Sequence, residues 1–478
     1  MTAAPAGDEA EGALMDPAGD EQQPIGVRGH ASVAVGMDAA QPQLIRRVIE
    51  SKRIAPIVAH LRAPLYRNGY LLLINAFTTS GLGLVYWALA AHAYPADVVG
   101  MNSAAIAALT LLTSLAKLEL NFTLIRYIPL SGRATARLVL GVYALVLTLA
   151  ALAGTAFVIV AGSGLLPLHF IGAGGIPALL FVPALVLWCL FNIQDSVLIG
   201  LRQVVWVPVE NALFSITKAW LLLVLATALP ATGIFVSYAG TAGLATLPVN
   251  AFIFGRVLRR RARTEGPGVP YTARELARYT LGEYGGTLMA MIGAGTPPLI
   301  VTAMLGARAG AYFYIPWIIS SAFGMLSANM SMSLTVEAVL DEGRLATLAR
   351  EMLAHVVKLI ACASVLLVVG APLLLSLMGH AYVAHGTALL RLLALAEIPN
   401  SVVVVYFGIA RVQRRTRDIA QIQAGVCVVF LTLLCTLLPV YGVAGAGIAA
   451  VVTQCAAATL LFFTRLRRLL WRQPIQRV

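Results

Sequence analysis

Twelve stretches of about 20 or more predominantly apolar residues recur between positions 69 and 464, separated by short polar connections. In the first half they run 69–91, 98–125, 136–161, 176–200, 205–229 and 233–255; in the second, 277–305, 310–335, 353–378, 387–410, 419–440 and 443–464. A helix rises about 1.5 Å per residue, so each is long enough to cross a hydrocarbon core about 30 Å thick. In lipid the backbone must satisfy its own donors and acceptors, and segments of this length do so as helices. The expected fold is therefore all-α: a polytopic membrane protein with twelve transmembrane helices. Composition agrees, with 59% apolar and 12% charged residues against roughly a quarter charged in soluble domains.

The net charge of +13 would point to nucleic acid in a soluble protein. Here the basic residues follow the spans. Placing both termini in the cytoplasm puts 29 of the 34 Lys and Arg on one side of the membrane, the asymmetry of the positive-inside rule. Nucleic-acid binding is thereby excluded in favour of a topology signal. Residues 1–40 hold seven acids and a single Arg28 with few apolar residues, and read as a disordered cytoplasmic tail. Residues 41–67 interleave Leu44, Ile45, Val48, Ile49 and Leu61 with Arg46, Arg47, Lys52 and Arg53. They form either an amphipathic helix on the inner membrane surface or a solvated basic linker.

The two sets of six spans repeat each other. The turn at 94–100 corresponds to 306–313, the loop at 162–174 to 379–387, and the turn near Pro230 to that near Val440, each at an offset close to 210 residues. Six is even, so both halves keep one orientation and are related by a pseudo-two-fold along the membrane normal, as in carriers with a central site. The expected organisation is an N-lobe at 68–255, a basic cytoplasmic linker at 256–276, a C-lobe at 277–464 and a basic tail at 465–478.

Charges inside spans are costly, about 2.5–3.5 kcal/mol each at a helix centre, and usually face water or one another. They are Lys117, Lys218, Lys358, Arg391, Glu119, Asp195, Glu210, Glu283 and Glu397. Thr110, Ser114, Lys117 and Asn121 step by four, three and four, as one polar stripe; Asn211, Ser215 and Lys218 form a second. Two lysine-bearing stripes point to a hydrated, positively charged cavity in the N-half, to which the C-half adds Glu283, Lys358, Glu397 and Asn400. Asp195 and Glu210 are either structural partners of these cations or independent groups. Arg391 lies near a span end, where it can also snorkel. The seventh span is weakened by Gly285, Gly286, Pro297 and Pro298, a hinge pattern. Five cysteines, all in apolar stretches, read as small core residues. No phosphate-binding loop, dinucleotide fingerprint or paired-His metal motif is present, so no enzymatic, metal or cofactor role is expected.

Several segments then resemble bacterial polysaccharide exporters, the lipid-linked oligosaccharide (O-antigen-type) flippases of the multidrug/oligosaccharidyl-lipid/polysaccharide superfamily. These are Asn75 to Gly83 with 94–100 and 124–129; Gln194 to Arg202 with Trp206 to Asn211 and Lys218; and Leu438 to Ala446. The likeness spans residues 65–465. It implies a multi-pass protein of the bacterial cytoplasmic membrane that carries a polyprenyl-diphosphate-linked glycan from the inner to the outer leaflet by alternating access. Membrane lipids, a polysaccharide polymerase or glycosyltransferases would be its partners, and no cofactor. It implies that Lys117, Lys218, Lys358 and Arg126 meet the anionic head. Arg391 is a further candidate cation for that head, and the intramembrane acids Glu119, Asp195, Glu283 and Glu397 are candidates for ion coupling. The drug-extruding branch, a cation- or proton-coupled exporter, often carries an acid in the first span, and this span has none.

Overall fold

The computed structural model describes residues 64–163, 178–269, 271–340, 345–413 and 415–466. The tail at 1–40, most of the 41–67 segment and the end of the chain beyond 466 lie outside the described residues. In the first half the helices are α1 (Pro64–Ala93), α2 (Ala96–Lys117), α3 (Leu120–Tyr127), α4 (Thr135–Gly162), α5 (Ala178–Gly200), α6 (Trp206–Ala228) and α7 (Gly233–Phe252). A π-turn joins α7 to α8 (Leu258–Thr264), and α9 (Ala273–Gly295) and α10 (Pro297–Leu305) open the second half. It continues with α11 (Ala307–Leu340), α12 (Leu345–Ser376), α13 (His380–Val412), α14 (Thr416–Tyr441) and α15 (Val443–Leu461). Pairs α2/α3 and α9/α10 are each one broken span; among the described residues eleven spans are long and apolar enough by composition to cross a membrane, and α1, of 30 residues, precedes them.

The breaks have local causes. Leu118 and Glu119 both take left-handed backbone, at φ 48° and 58°, which costs a non-glycine residue on the order of 1 kcal/mol or more. The second span is therefore two helices and not the single run read from its hydropathy. In the seventh, Pro298 has no N–H to give the Ala294 carbonyl. Trp317 of α11 supplies the missing donor, its Nε1 lying 3.3 Å from that oxygen.

The second half repeats the helix pairings of the first. In one, α5 packs on α4 and α7, α6 on α1 and α7, and α2 on α4 and α5. In the other, α13 packs on α12 and α15, α14 on α9, α10 and α15, and α11 on α12 and α13. The halves meet where the equivalent helices α2 and α11 cross. A Cβ on Gly100 would fall 1.6 Å from the Ala307 carbonyl oxygen, so only glycine allows this approach. Asp97 and Arg308, at the same crossing, form an exposed ion pair at 2.8 Å. These residues belong to the two turns that the repeat makes equivalent, and equivalent positions touch only beside a two-fold axis. From there the seam continues along α2, where Leu111 packs on Gly295, to Thr123 of α3, which hydrogen-bonds Thr280 of α9 at 2.7 Å.

The stretch expected as a basic linker is more ordered than its charge implies. Helix α8 carries Arg259 to Arg263, and residues 265–269 are tied to the turn between α3 and α4. Val269 N–H donates to Leu130 O at 2.9 Å, Arg133 N–H to Gly266 O at 3.2 Å, and Arg261 to Ile128 O at 3.0 Å. A capping box between Thr272 and Glu275 then starts α9. Further along, His380 and His385 lie in α13 and not in a loop, because the span read as 387–410 begins about two turns earlier.

Candidate functional site

The amino-acid spacing on α6 sets the site. Asn211, Ser215 and Lys218 are all buried and share one helix face, which turns toward α1, α5, α7 and α11. Together these helices enclose a cavity of about 400 Å³ lined by Asn75, Thr79, Trp87, Trp188, Asn192, Asp195, Asn211, Ser215, Lys218, Tyr238 and Tyr314. Four helices come from the first half and α11 from the second, so the cavity lies between the lobes.

Lys218 is 6% exposed. Its ammonium sits 4.5 Å from the Tyr86 ring centre, 4.9 Å from Phe214 and 4.8 Å from Tyr238. Among the described residues it has no ion-pair or hydrogen-bond partner. Ring faces attract a cation by about 0.5–2 kcal/mol each, which holds the charge in place without neutralising it. Tyr86 is fixed in turn by Ile234 O and Ser237 Oγ, both at 2.9 Å. Trp87 meets Tyr314 across the lobes at 4.8 Å, and Trp188 packs on Tyr238 at 4.6 Å.

Three other polar groups on this wall are buried and unpartnered: Trp188 Nε1, Asp195 Oδ1 and Asn75 Oδ1. The second Asp195 oxygen accepts from Asn211 at 3.1 Å. A buried polar atom without a partner costs about 1–3 kcal/mol, so this wall holds donors, acceptors and a cation ready for a polar guest. Asp195 and Glu210 make no salt bridge with Lys117 or Lys218, against the structural pairing left open by the sequence. Glu210 instead accepts from Gln194, which accepts from Asn250 at 2.7 Å. Glu210 also lines a separate groove of about 360 Å³ with Trp206 and Phe252.

The remaining candidates are not brought to this cavity. Lys117 is the last residue of α2, next to the left-handed pair, so the break cuts Asn121 off from the stripe that Thr110, Ser114 and Lys117 keep on α2; none of these residues lines the cavity. Glu119 is buried at the break itself. Arg126 lies exposed where the lobes meet at the arginine-rich end, 4.6 Å over the Tyr279 ring of α9. Lys358 falls on the exposed stripe of α12 with Cys362, Val365 and Val369, away from the packed face of Val356, Ile360 and Ser364. Arg391 is exposed and donates to the Val368 carbonyl of α12 at 3.0 Å. Glu397 accepts from Asn400 at 2.9 Å and approaches Gly324 of α11. The side chain of Glu283 lies outside what is described; Gly285 and Gly286 are within α9, and Pro297 and Pro298 start α10. Sequence reading missed the rings around Lys218. Their signal was present: Tyr86, Phe214 and Tyr238 all sit inside apolar spans.

No protein-family model matches the sequence, and no curated protein sequence does. Solved structures do match the fold. An inward-facing multidrug-resistance MATE family transporter of the MOP superfamily aligns at TM-score 0.55 and 16% identity, over 86% of this chain and 98% of that one. The lipid II flippase MurJ, in an inward closed conformation, aligns at TM-score 0.55 and 14% identity, over 84% and 90%. A MOP superfamily transporter from Pyrococcus furiosus, described by a binding pocket of reverse polarity, aligns at 0.52 and 13% identity, over 86% and 98%. The chain is an all-α polytopic membrane protein with the two-lobed fold of these transporters.

Proposed function

We propose that the protein is a flippase that moves a polyprenyl-diphosphate-linked oligosaccharide between leaflets by alternating access. The observation that carries this reading is Lys218, a cation without an anionic partner, caged by rings in a cavity walled by both lobes. A diphosphate provides the missing charge, and charge-assisted hydrogen bonds are roughly twice as strong as neutral ones. Sugars need both donors and acceptors along with flat apolar surfaces. Trp188 Nε1, Asp195 Oδ1 and Asn75 Oδ1 offer the first, and Trp87, Trp188 and Tyr314 the second. The breaks at Leu118–Glu119 and at Pro297–Pro298 give each side of the seam a place to bend. The positive-inside asymmetry supports an arginine-rich end, and both termini, in the cytoplasm of a bacterial cell.

A second reading, a cation- or proton-coupled multidrug or small-molecule exporter, is favoured by the unpaired Asp195 oxygen in the same cavity. One comparison separates them. Accumulation of lipid-linked glycan in the inner leaflet is measured in cells carrying Lys218→Ala or Asp195→Asn at equal abundance. The flippase reading expects Lys218→Ala to block transfer and Lys218→Arg to keep part of it, since charge survives though its geometry changes. Normal glycan transfer by Lys218→Ala, with drug resistance lost in Asp195→Asn, would establish the exporter instead.

A further inference from the structure

A second hollow, of about 660 Å³, is larger than the Lys218 cavity and shares no lining residue with it. It is a groove between α3, α4 and the start of α9. Along α4, Arg137, Gly141 and Leu145 recur every four residues and share its face. They descend about 12 Å from the arginine-rich end at 1.5 Å per residue. Tyr271, just before α9, and the first turns of α9 as far as Leu281 form the opposite wall, which descends in parallel. At the floor, the Thr123 and Thr280 hydroxyls bond each other, so the polar groups there are satisfied and the surface offered is apolar.

Two observations say what fills it. Arg137 is exposed at the mouth and has no ion-pair partner among the described residues. Gly141, in mid-helix where glycine is a poor choice, leaves the waist open: a Cβ there would meet nothing within 4 Å. A cation at the end of an open apolar groove fits an anionic head over a hydrocarbon chain.

We propose that this groove binds an anionic phospholipid of the leaflet at the arginine-rich end, its phosphate on Arg137 and one chain past Gly141 toward Leu145. The walls come from both lobes, so the lipid fits only while α3 and α9 hold this separation. The inference does not rest on the flippase reading, and it stands or falls without any change in transport.

The test is native mass spectrometry of the full chain, extracted from vesicles of equal phosphatidylglycerol and phosphatidylethanolamine. Retention of phosphatidylglycerol over phosphatidylethanolamine is expected. It should weaken about fivefold in Arg137→Gln, the worth of one basic residue near a membrane surface, survive in Arg137→Lys, and vanish in Gly141→Phe. Should Gly141→Phe fail to fold, Leu281→Trp on the exposed opposite wall fills the same space. Equal retention of both lipids, or unchanged retention in the Gln and groove-filling variants, overturns the proposal. So does displacement of the phospholipid from this groove by added polyprenyl phosphate, which would make it part of the transport path.

Discussion

At the scale of single residues, the informative contrast lies between Lys218 and the other intramembrane cations. Lys218 is 6% exposed and ring-caged, whereas Lys358 and Arg391 are exposed on α12 and α13. A buried charge needs a structural reason, while an exposed one near a helix end can reach water or headgroups. Lys358→Ala is therefore expected to leave transport and abundance unchanged in the same leaflet assay that Lys218→Ala abolishes. Trp188 allows a finer test. Trp188→Phe keeps a ring against Tyr238 but removes the unpartnered Nε1 donor. Apparent substrate affinity should fall by one hydrogen bond, about 0.5–1.5 kcal/mol, with no loss in thermal stability. A fall in both would mean the indole serves packing alone.

Elements matter where they cross or break. Gly100 places α2 against the first turn of α11, and Gly268 lets the strap after α8 lie on the α3–α4 turn, where a Cβ would come 2.3 Å from the Ser131 carbonyl carbon. Both contacts are with backbone, which has little freedom to move aside. Gly100→Ala and Gly268→Ala should each lower the detergent-solubilised melting temperature, by an overpacking cost of about 1–3 kcal/mol. Gly425→Ala, on α14 with nothing within 4 Å, should match or exceed the parent, because alanine favours helix over glycine. Equal melting points for all three would show that these crossings yield easily.

For the whole molecule, transport by alternating access requires the lobes to part along the seam that α2 and α3 share with α9, α10 and α11. Thr123 and Thr280 face each other across it, 2.7 Å apart. In a background lacking the five native cysteines, Thr123→Cys with Thr280→Cys should cross-link on oxidation and stop transport, and reduction should restore it. Undiminished transport by the fully cross-linked protein would mean that the lobes move without opening here. A reporter fused after Val478 should be active only in the cytoplasm, as the basic loops require.

The sequence by itself determined the helical fold, the count of crossings and the internal repeat, because lipid leaves the backbone few alternatives and hydropathy records them directly. It also marked Lys218, since a charge in an apolar run is conspicuous whatever surrounds it. Which charges share a cavity was a tertiary matter. Lys117 and Lys218 looked alike on their stripes, yet Lys117 ends α2 outside the cavity lining while three rings from α1, α6 and α7 enclose Lys218. Helical spacing tells which residues share a face, but the direction that face takes depends on how the helix is turned against its neighbours. That rotation is set by contacts such as Gly100 on Ala307 and Trp317 on the freed Ala294 carbonyl. Their partners lie far apart in the chain, so no local pattern records them.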